Sequence, residues 1–230
     1  MIIFSLDSSS KSASAAVVRD GVILSESFAN IGLTHSETLL ELCDEALRRA
    51  SVTPREVDFF AVTSGPGSFT GLRIGMGVIK GMAFATKKPC VGVPTFEALA
   101  FGVLGTKRTV VATCDARRGR VYCAAFSAEK KVERIFDDCV LSLDELCEKL
   151  QGKQVVFVGD AAEICYNHMN DKIDCARVSG GSVMVRAGNV GLSAIGYIQT
   201  GATVDAAELK PSYVQLTQAE QNLNKTQEKI

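Results

Sequence analysis

Histidine is scarce in this chain: among 230 residues there are only His35 and His168. No cysteine pair has C-x-x-C spacing, so the usual nitrogen and sulfur ligand sets for zinc are missing. There is no H-E-x-x-H segment either, which removes the signature of a zinc-dependent peptidase. No apolar run reaches the roughly 20 residues that span a bilayer. Net charge is nearly absent as well. Lys+Arg at 25 against Asp+Glu at 26 leaves a formal charge of -1, so no global field recruits nucleic acid. The local cluster Arg117-Arg118-Gly119-Arg120 reads as a solvated hairpin tip. The opening Met1 to Asp7 puts an acid where a signal peptide needs a longer apolar run, so the expectation is a cytoplasmic chain.

What is present is ordinary core material. Hydrophobic residues make up 47 % and charged residues 22 %, as in a globular protein. A chain of this length suits one large domain or two small ones around a cleft. The eight cysteines are not needed as staples and read as free thiols in a reducing compartment.

The most informative stretch is Phe59 to Thr86, FFAVTSGPGSFTGLRIGMGVIKGMAFAT. Phe59 to Val62 reads as a buried strand, Ser64-Gly65-Pro66-Gly67 breaks it, and Ser68 or Thr70 supplies the cap of a helix starting near Gly71. On a helical wheel Arg73 and Lys80 share one narrow sector. Leu72, Met76, Ile79 and Ala83 form one apolar side, and Ile74, Val78 and Met82 another. One stripe suffices to pack a helix on its own domain, so something else must cover the remainder. Gly71, Gly75, Gly77 and Gly81 each cost about 1 kcal/mol against alanine in a helix interior. Spaced four apart, they shape flat grooves that admit a second helix backbone. Two readings stand: a helix buried in its own core, with glycines fitting close neighbours, or a helix shared with a partner protein.

Around this stretch the chain repeats one order. Ile2 to Leu6 is a strand ending at Asp7. Ala15 to Arg19 and Val22 to Ser25 are two more, joined by Asp20-Gly21, a strong hairpin signal. Thr34 to Ala50 is a helix with Thr34 and Glu37 as a capping box. Its apolar positions Leu39, Leu40, Leu42, Cys43, Ala46 and Leu47 again exceed one stripe. Cys90 to Val93 is a strand, followed by a helix over about Phe96 to Leu104. After a junction at Gly105 to Thr109 come a strand ending at Asp115, a strand over Arg120 to Phe126, another over Val132 to Phe136, and a helix over Ser142 to Leu150. Val155 to Val158 then leads through Gly159-Asp160 into a helix. A duplicated α/β unit is the economical explanation, and two such units enclose a cleft. A long helix over Ser182 to Thr200 packs back on the first half. The expected divisions are 1–104 and 105–181 for the two lobes, 182–205 for the returning helix, and 206–230 for a flexible polar tail.

Asp7 and Asp115 occupy equivalent strand ends, where carboxylates either hold a metal-nucleotide or act as a base, or cap a turn. The turn at Gly159 is a weak candidate for approach to an adenine, since Ala161-Ala162 lacks a second glycine. Ser64 to Gly71 has the form of a phosphate cradle at a helix N-terminus, but Leu72-Arg73 stand where a P-loop requires Lys and Ser/Thr. His35 reads as a capping or interface residue.

SLDSSSKSASAAV, HSETLLELCDEAL, SGPGSFTGLRIGMGVIKGMAF, VGVPTFEALA and CDARRGRVY together resemble the bacterial TsaB (YeaZ) family over nearly the whole chain. The resemblance implies a two-lobed α/β fold of the actin, Hsp70 and sugar-kinase kind, each lobe opening with an Asp-bearing hairpin, here at Asp7 and Asp115. It implies a role in making threonylcarbamoyladenosine next to the tRNA anticodon. In that system TsaD carries the metal and transfers the threonylcarbamoyl group from an adenylate, and TsaE is an ATPase that joins them. A TsaB-like chain is the non-catalytic partner of TsaD, binding through its first two helices, here Thr34 to Ala50 and Thr70 to Thr86. TsaD-like proteins carry two histidines four apart on the first helix. His35 and Leu39 stand there in this chain and cannot make that site. The family often has an arginine soon after Pro-x-Tyr, where this chain has Gln215.

The expectation is therefore a scaffold without cofactor, metal or catalytic residue. Leu39, Leu42, Cys43, Ala46, Ile74, Gly77, Val78, Gly81 and Met82 would bind a TsaD-like paralogue, and through it a TsaE-like ATPase and tRNA, or a second copy of the chain when alone. The rival is a nucleotide-binding ATPase or phosphotransferase working between Asp7 and Asp115. A second rival, a metallopeptidase, lacks its ligands.

Overall fold

The computed structural model describes residues 1–178 and 183–212. They form two five-stranded mixed sheets. The first is built from β1 (Ile2–Asp7), β2 (Ala13–Arg19), β3 (Val22–Ala29), β4 (Phe59–Gly65) and β5 (Cys90–Pro94), with α1 (His35–Arg49) before β4 and α2 (Phe69–Thr86) before β5. Its strand order is β3-β2-β1-β4-β5. After α3 (Thr95–Phe101), the second sheet uses β6 (Thr106–Asp115), β7 (Arg120–Ala128), β8 (Glu133–Ser142), β9 (Val155–Val158) and β10 (Cys175–Arg177), with α4 (Leu143–Lys149) and α5 (Ala162–Met169) in the corresponding places. Its order, β10-β9-β6-β7-β8, repeats the first. The final helix is α6 (Ala187–Gln199).

Local chemistry accounts for the boundaries. Asp20 and Gly21 both take positive φ, 51° and 80°, which the tight two-residue hairpin requires. At α1 the Glu37 carboxylate accepts from the Thr34 backbone N–H at 3.0 Å, and at α4 the Glu145 carboxylate accepts from Ser142 N–H at 2.7 Å, so both expected capping boxes form. Ser68 caps α2, its Oγ accepting from Gly71 N–H at 3.2 Å, and the helix therefore starts at Phe69. β6 begins at Thr106, inside the expected junction, and β8 runs on to Ser142.

Alternation along the strands sorts side chains into three layers. Phe4, Leu6, Ala15 and Val17 face α1 and α2. Val111, Cys123 and Phe157 face α4 and α5. Ile3, Val18, Val110, Ala112, Phe126 and Val158 point into one interior shared by both sheets, where α3 and α6 are wedged. α6 packs on the first sheet. It can lie that close because Gly191 offers no Cβ; one there would stand 2.7 Å from Val18 Cγ2 and 2.8 Å from Ser5 Oγ. Ser5 Oγ donates to Ala187 O at 2.6 Å and Ser14 Oγ accepts from Ala187 N–H at 2.9 Å. Ser193 and Tyr197 of α6 each donate to the Glu97 carboxylate of α3 at 2.6 Å. Ser182, the expected start of this helix, lies outside the described residues, and α6 begins at Ala187.

The first part of the expected tail, 206–212, is anchored. Val204 exchanges backbone hydrogen bonds with Cys90 at 2.8 and 2.9 Å, and Ser212 N–H donates to Ser64 O at 2.7 Å. Lys80 Nζ donates to Leu209 O at 3.0 Å, and the Leu209 side chain, 3 % exposed, joins the core beneath α1 and α2. Leu209 is the one large apolar side chain of 206–212, and one such residue shows no periodicity, which is why this strap reads as tail in sequence. Residues 213–230, including Tyr213 and Gln215, lie outside the described residues. Leu209→Ala is expected to lower the unfolding free energy by about 2–4 kcal/mol, as read from urea titrations; an unchanged midpoint would mean that the strap contributes no core.

Candidate functional site

The outer face of α2 is where apolar surface is left over. Leu72, Met76, Ile79 and Ala83 are buried on the first sheet. Gly71 and Gly75 serve that packing: a Cβ at Gly71 would lie 2.1 Å from Ser8 O, and one at Gly75 2.2 Å from Ser8 Oγ. Gly77 and Gly81 differ, because a Cβ at either meets nothing within 4 Å. They form an open lane on the helix surface. Ile74, Val78 and Met82 beside it are half-buried, and Phe84 near its end is 82 % exposed. The close-packing reading thus applies to Gly71 and Gly75, while Gly77 and Gly81 face open space among the described residues.

Four expected partner-binding residues lie elsewhere. Leu39, Leu42, Cys43 and Ala46 are buried in the chain's own core. The reason is geometric: α1 packs on β2, β3 and α2 at once, so two apolar sides of the helix are consumed inside the subunit. Burial pushes the Cys43 thiol up to about 12. What α1 and its approach do expose is Leu40 at 65 % and Ile31 at 68 %. Leu40 is hard to single out in an all-apolar stripe. Ile31 had a signal, an apolar residue in a polar loop, which periodicity ignores. His35 neither caps nor lies free; its Nε2 is 2.8 Å from Ser10 O, tying α1 to the loop after β1. Beside Gly77 a groove of about 480 Å³ separates α2 from the strap.

The cleft between the sheets is the other candidate. Asp7 and Asp115 end equivalent strands, but their surroundings are opposite. Asp7 is fully buried; its Oδ1 accepts from Ser9 N–H (3.1 Å), Ser9 Oγ (2.6 Å) and Thr63 Oγ1 (2.8 Å), while Oδ2 has no partner. Asp115 is exposed and accepts from Arg117 N–H at 2.7 Å. Each carboxylate holds the turn that follows it. Gly159, with φ of 99°, is pressed on the Thr113 carbonyl, which a Cβ would meet at 2.0 Å. The void bounded by Ser9, Thr95, Cys114, Asp160 and Val185 measures about 10 Å³. That holds one water at most, whereas ligand pockets span about 300–1,000 Å³. Nor is Ser64 to Gly71 an open cradle: Ser68 N–H donates to Ser9 O at 2.7 Å, and a Cβ at Gly67 would stand 2.4 Å from the same oxygen. At the void beside Asp160 the described residues leave no room for a metal-nucleotide; a separate opening of about 390 Å³ lies between Ser64, Gly65 and Pro94 of the first sheet and Arg134, Asp137 and Asp138 of the second.

Burial pushes the Asp7 carboxyl above its ordinary 3.8, against the pull of the Ser9 and Thr63 hydrogen bonds. A raised folded-state pKa means that the native state holds a proton which the unfolded chain has released. Its contribution is complete below the unfolded value and is lost as pH rises through the folded one. Asp7→Asn keeps an acceptor for Ser9 and Thr63 and is expected to melt above the wild type at pH 7. The gap should narrow as pH falls through the raised folded-state value toward 3.8, and change no further below it. A wild type that is the more stable at pH 7 would show that the ionised carboxylate is favoured in place.

Two copies of one mixed sheet, joined by helices packed in a common interior, define a two-lobed fold of the actin, Hsp70 and sugar-kinase class. The chain belongs to the family described as TsaD, tRNA N6-adenosine threonylcarbamoyltransferase, whose model matches residues 27–222, and is of its TsaB/YeaZ type. It is 25 % identical to the tRNA threonylcarbamoyladenosine biosynthesis protein TsaB of Bacillus subtilis, over 96 % of both chains. With TsaB of Escherichia coli it shares 32 % identity over 56 % of this chain and 57 % of that one. The solved structure of YeaZ from Pseudomonas aeruginosa superposes with a TM-score of 0.81 at 25 % identity, covering 93 % of this chain and 99 % of the other. Among the described residues no helix is long and apolar enough to cross a membrane, and no group of three or more His, Cys, Asp or Glu is placed to hold a metal ion.

Proposed function

We propose that this chain is a non-catalytic scaffold subunit in tRNA threonylcarbamoyladenosine biosynthesis. It docks the outer face of α2 on a TsaD-type threonylcarbamoyltransferase in the cytoplasm and brings that subunit together with a TsaE-type ATPase. In the absence of TsaD the same face pairs two copies of the chain. The observation that carries this reading is the lane at Gly77 and Gly81, open to solvent and bordered by Ile74, Val78 and the exposed ring of Phe84. Glycine at two helix-interior positions costs stability, and among the described residues no atom comes within 4 Å of a Cβ built at either one. A helix backbone from another chain is the kind of object that uses the space, and a standard interface of about 1,600 Å² would cover the rest of the face.

The surroundings of Asp7 and Asp160 also favour the scaffold over the ATPase reading: Asp7 is buried, and the void beside Asp160 measures about 10 Å³. The test is reconstitution with the chain's own TsaD, TsaE and adenylate synthase, with and without this subunit. Transfer to tRNA is expected to stall when the chain is omitted, and calorimetry on the chain alone to find no ATP binding. Full transfer without it would refute the scaffold role. Tight ATP binding that disappears in Asp7→Ala would favour the ATPase instead.

A further inference from the structure

The groove on the flank of α2 is more selective than the glycine lane it opens onto. Its floor is apolar, made by Met76, Leu209 and Pro211, and its walls are the cations Arg73, Lys80 and Lys210. No carboxylate is among these lining residues, although the chain as a whole is balanced at -1. Two of the three cations are held in position. The Arg73 guanidinium lies 3.7 Å over the Phe69 ring. Lys80 Nζ donates to Leu209 O and Ala207 O at 3.0 and 3.4 Å, which leaves one of its three N–H donors. Lys210 is exposed on the strap. Gly77 borders both the groove and the lane, so a helix lying over Gly77 and Gly81 passes directly above the cations.

We propose that the groove receives the carboxylate of an acidic side chain, carried by a partner helix that lies along α2. This rests on the docking reading above and adds the chemistry of the partner. A carboxylate suits the site because the Lys80 ammonium is already ordered among cations with an apolar floor, so little of its side-chain entropy is lost on pairing. The aliphatic stem of Glu or Asp fits over Met76 and Leu209. A protein partner fits better than a nucleic acid backbone, because the groove continues into the apolar lane of Ile74, Val78 and Phe84, which phosphodiesters would leave uncovered. The strap thereby becomes part of the docking site: it supplies Leu209, Lys210 and Pro211 and fixes Lys80.

The test measures the affinity of the intact chain for its TsaD-type subunit by calorimetry at low and high salt. Variants are Lys210→Glu, Arg73→Glu, the conservative Lys210→Arg, and Gly77→Leu as the docking control, with thermal melts to verify folding. Each charge reversal is expected to weaken binding by about 10- to 100-fold at low salt and to flatten its salt dependence, with Lys210→Arg close to wild type. If both reversals change affinity less than about twofold while Gly77→Leu still abolishes binding, the acidic side chain is refuted and the docking face stands. If Gly77→Leu is also silent, the docking reading itself fails. If the reversals leave subunit affinity intact but abolish binding of tRNA to the chain, the groove belongs to the nucleic acid and the proposal is overturned.

Discussion

Leucine at Gly77 is expected to abolish association with the TsaD-type subunit and, in the same protein, to raise the melting temperature. The two effects have separate causes. Among the described residues nothing approaches the position: a Cβ there meets no atom within 4 Å, so a side chain is accommodated without strain. Glycine in a helix interior is disfavoured by about 1 kcal/mol against a good helix former, so the isolated chain gains stability. At the interface the same side chain holds the two helices apart. An interface whose centre is blocked loses its best-packed contacts, for an expected weakening of at least about 100-fold, or ~3 kcal/mol. Copurification and calorimetry read the first effect, differential scanning calorimetry the second. Undiminished binding would remove α2 as the docking surface, and a lowered melting temperature would show that the lane is not open.

Gly71→Ala is expected to do the reverse from the same helix. A Cβ there would stand 2.1 Å from the Ser8 carbonyl oxygen and 3.0 Å from the His35 ring. The first is backbone in the turn after β1, close to Ser9, which holds the buried Asp7 carboxylate. It cannot step aside as the tip of a side chain would. The loss of unfolding free energy should be about 2–4 kcal/mol, against a gain of about 0.5–1 kcal/mol for Gly77→Ala. Urea titration of the two alanine variants compares them directly. If both shift in the same direction, the division of these glycines into a packing pair and a surface pair is wrong.

The glycines show where sequence reasoning stops. Their spacing announces close approach but not by what. Gly71 and Gly75 are met by the Ser8 turn, more than sixty residues away in the chain as Ser8 and Gly71 are numbered, while Gly77 and Gly81 are met by nothing among the described residues. The surplus apolar surface on α1 was legible in Leu39, Leu42, Cys43 and Ala46, yet it is spent on β2, β3 and α2. β10 escaped notice because Cys175–Arg177, at three residues, is too short to show a pattern. Leu209 escaped because one residue has no period.

The order of elements, the Asp20-Gly21 turn, the capping boxes at Thr34 and Ser142, the buried side of α2 and the repetition of one unit were all determined by the sequence itself. Each follows from interactions within a few residues, or from a period of 2 or 3.6 that one element carries alone. Tertiary structure alone decided which apolar faces remain uncovered among the described residues, that Asp7 is buried while Asp115 is exposed, and that Leu209 and Lys80 join the strap to α2. Those outcomes depend on which distant surfaces compete for the same space, and burial is shared between partners that no local pattern names.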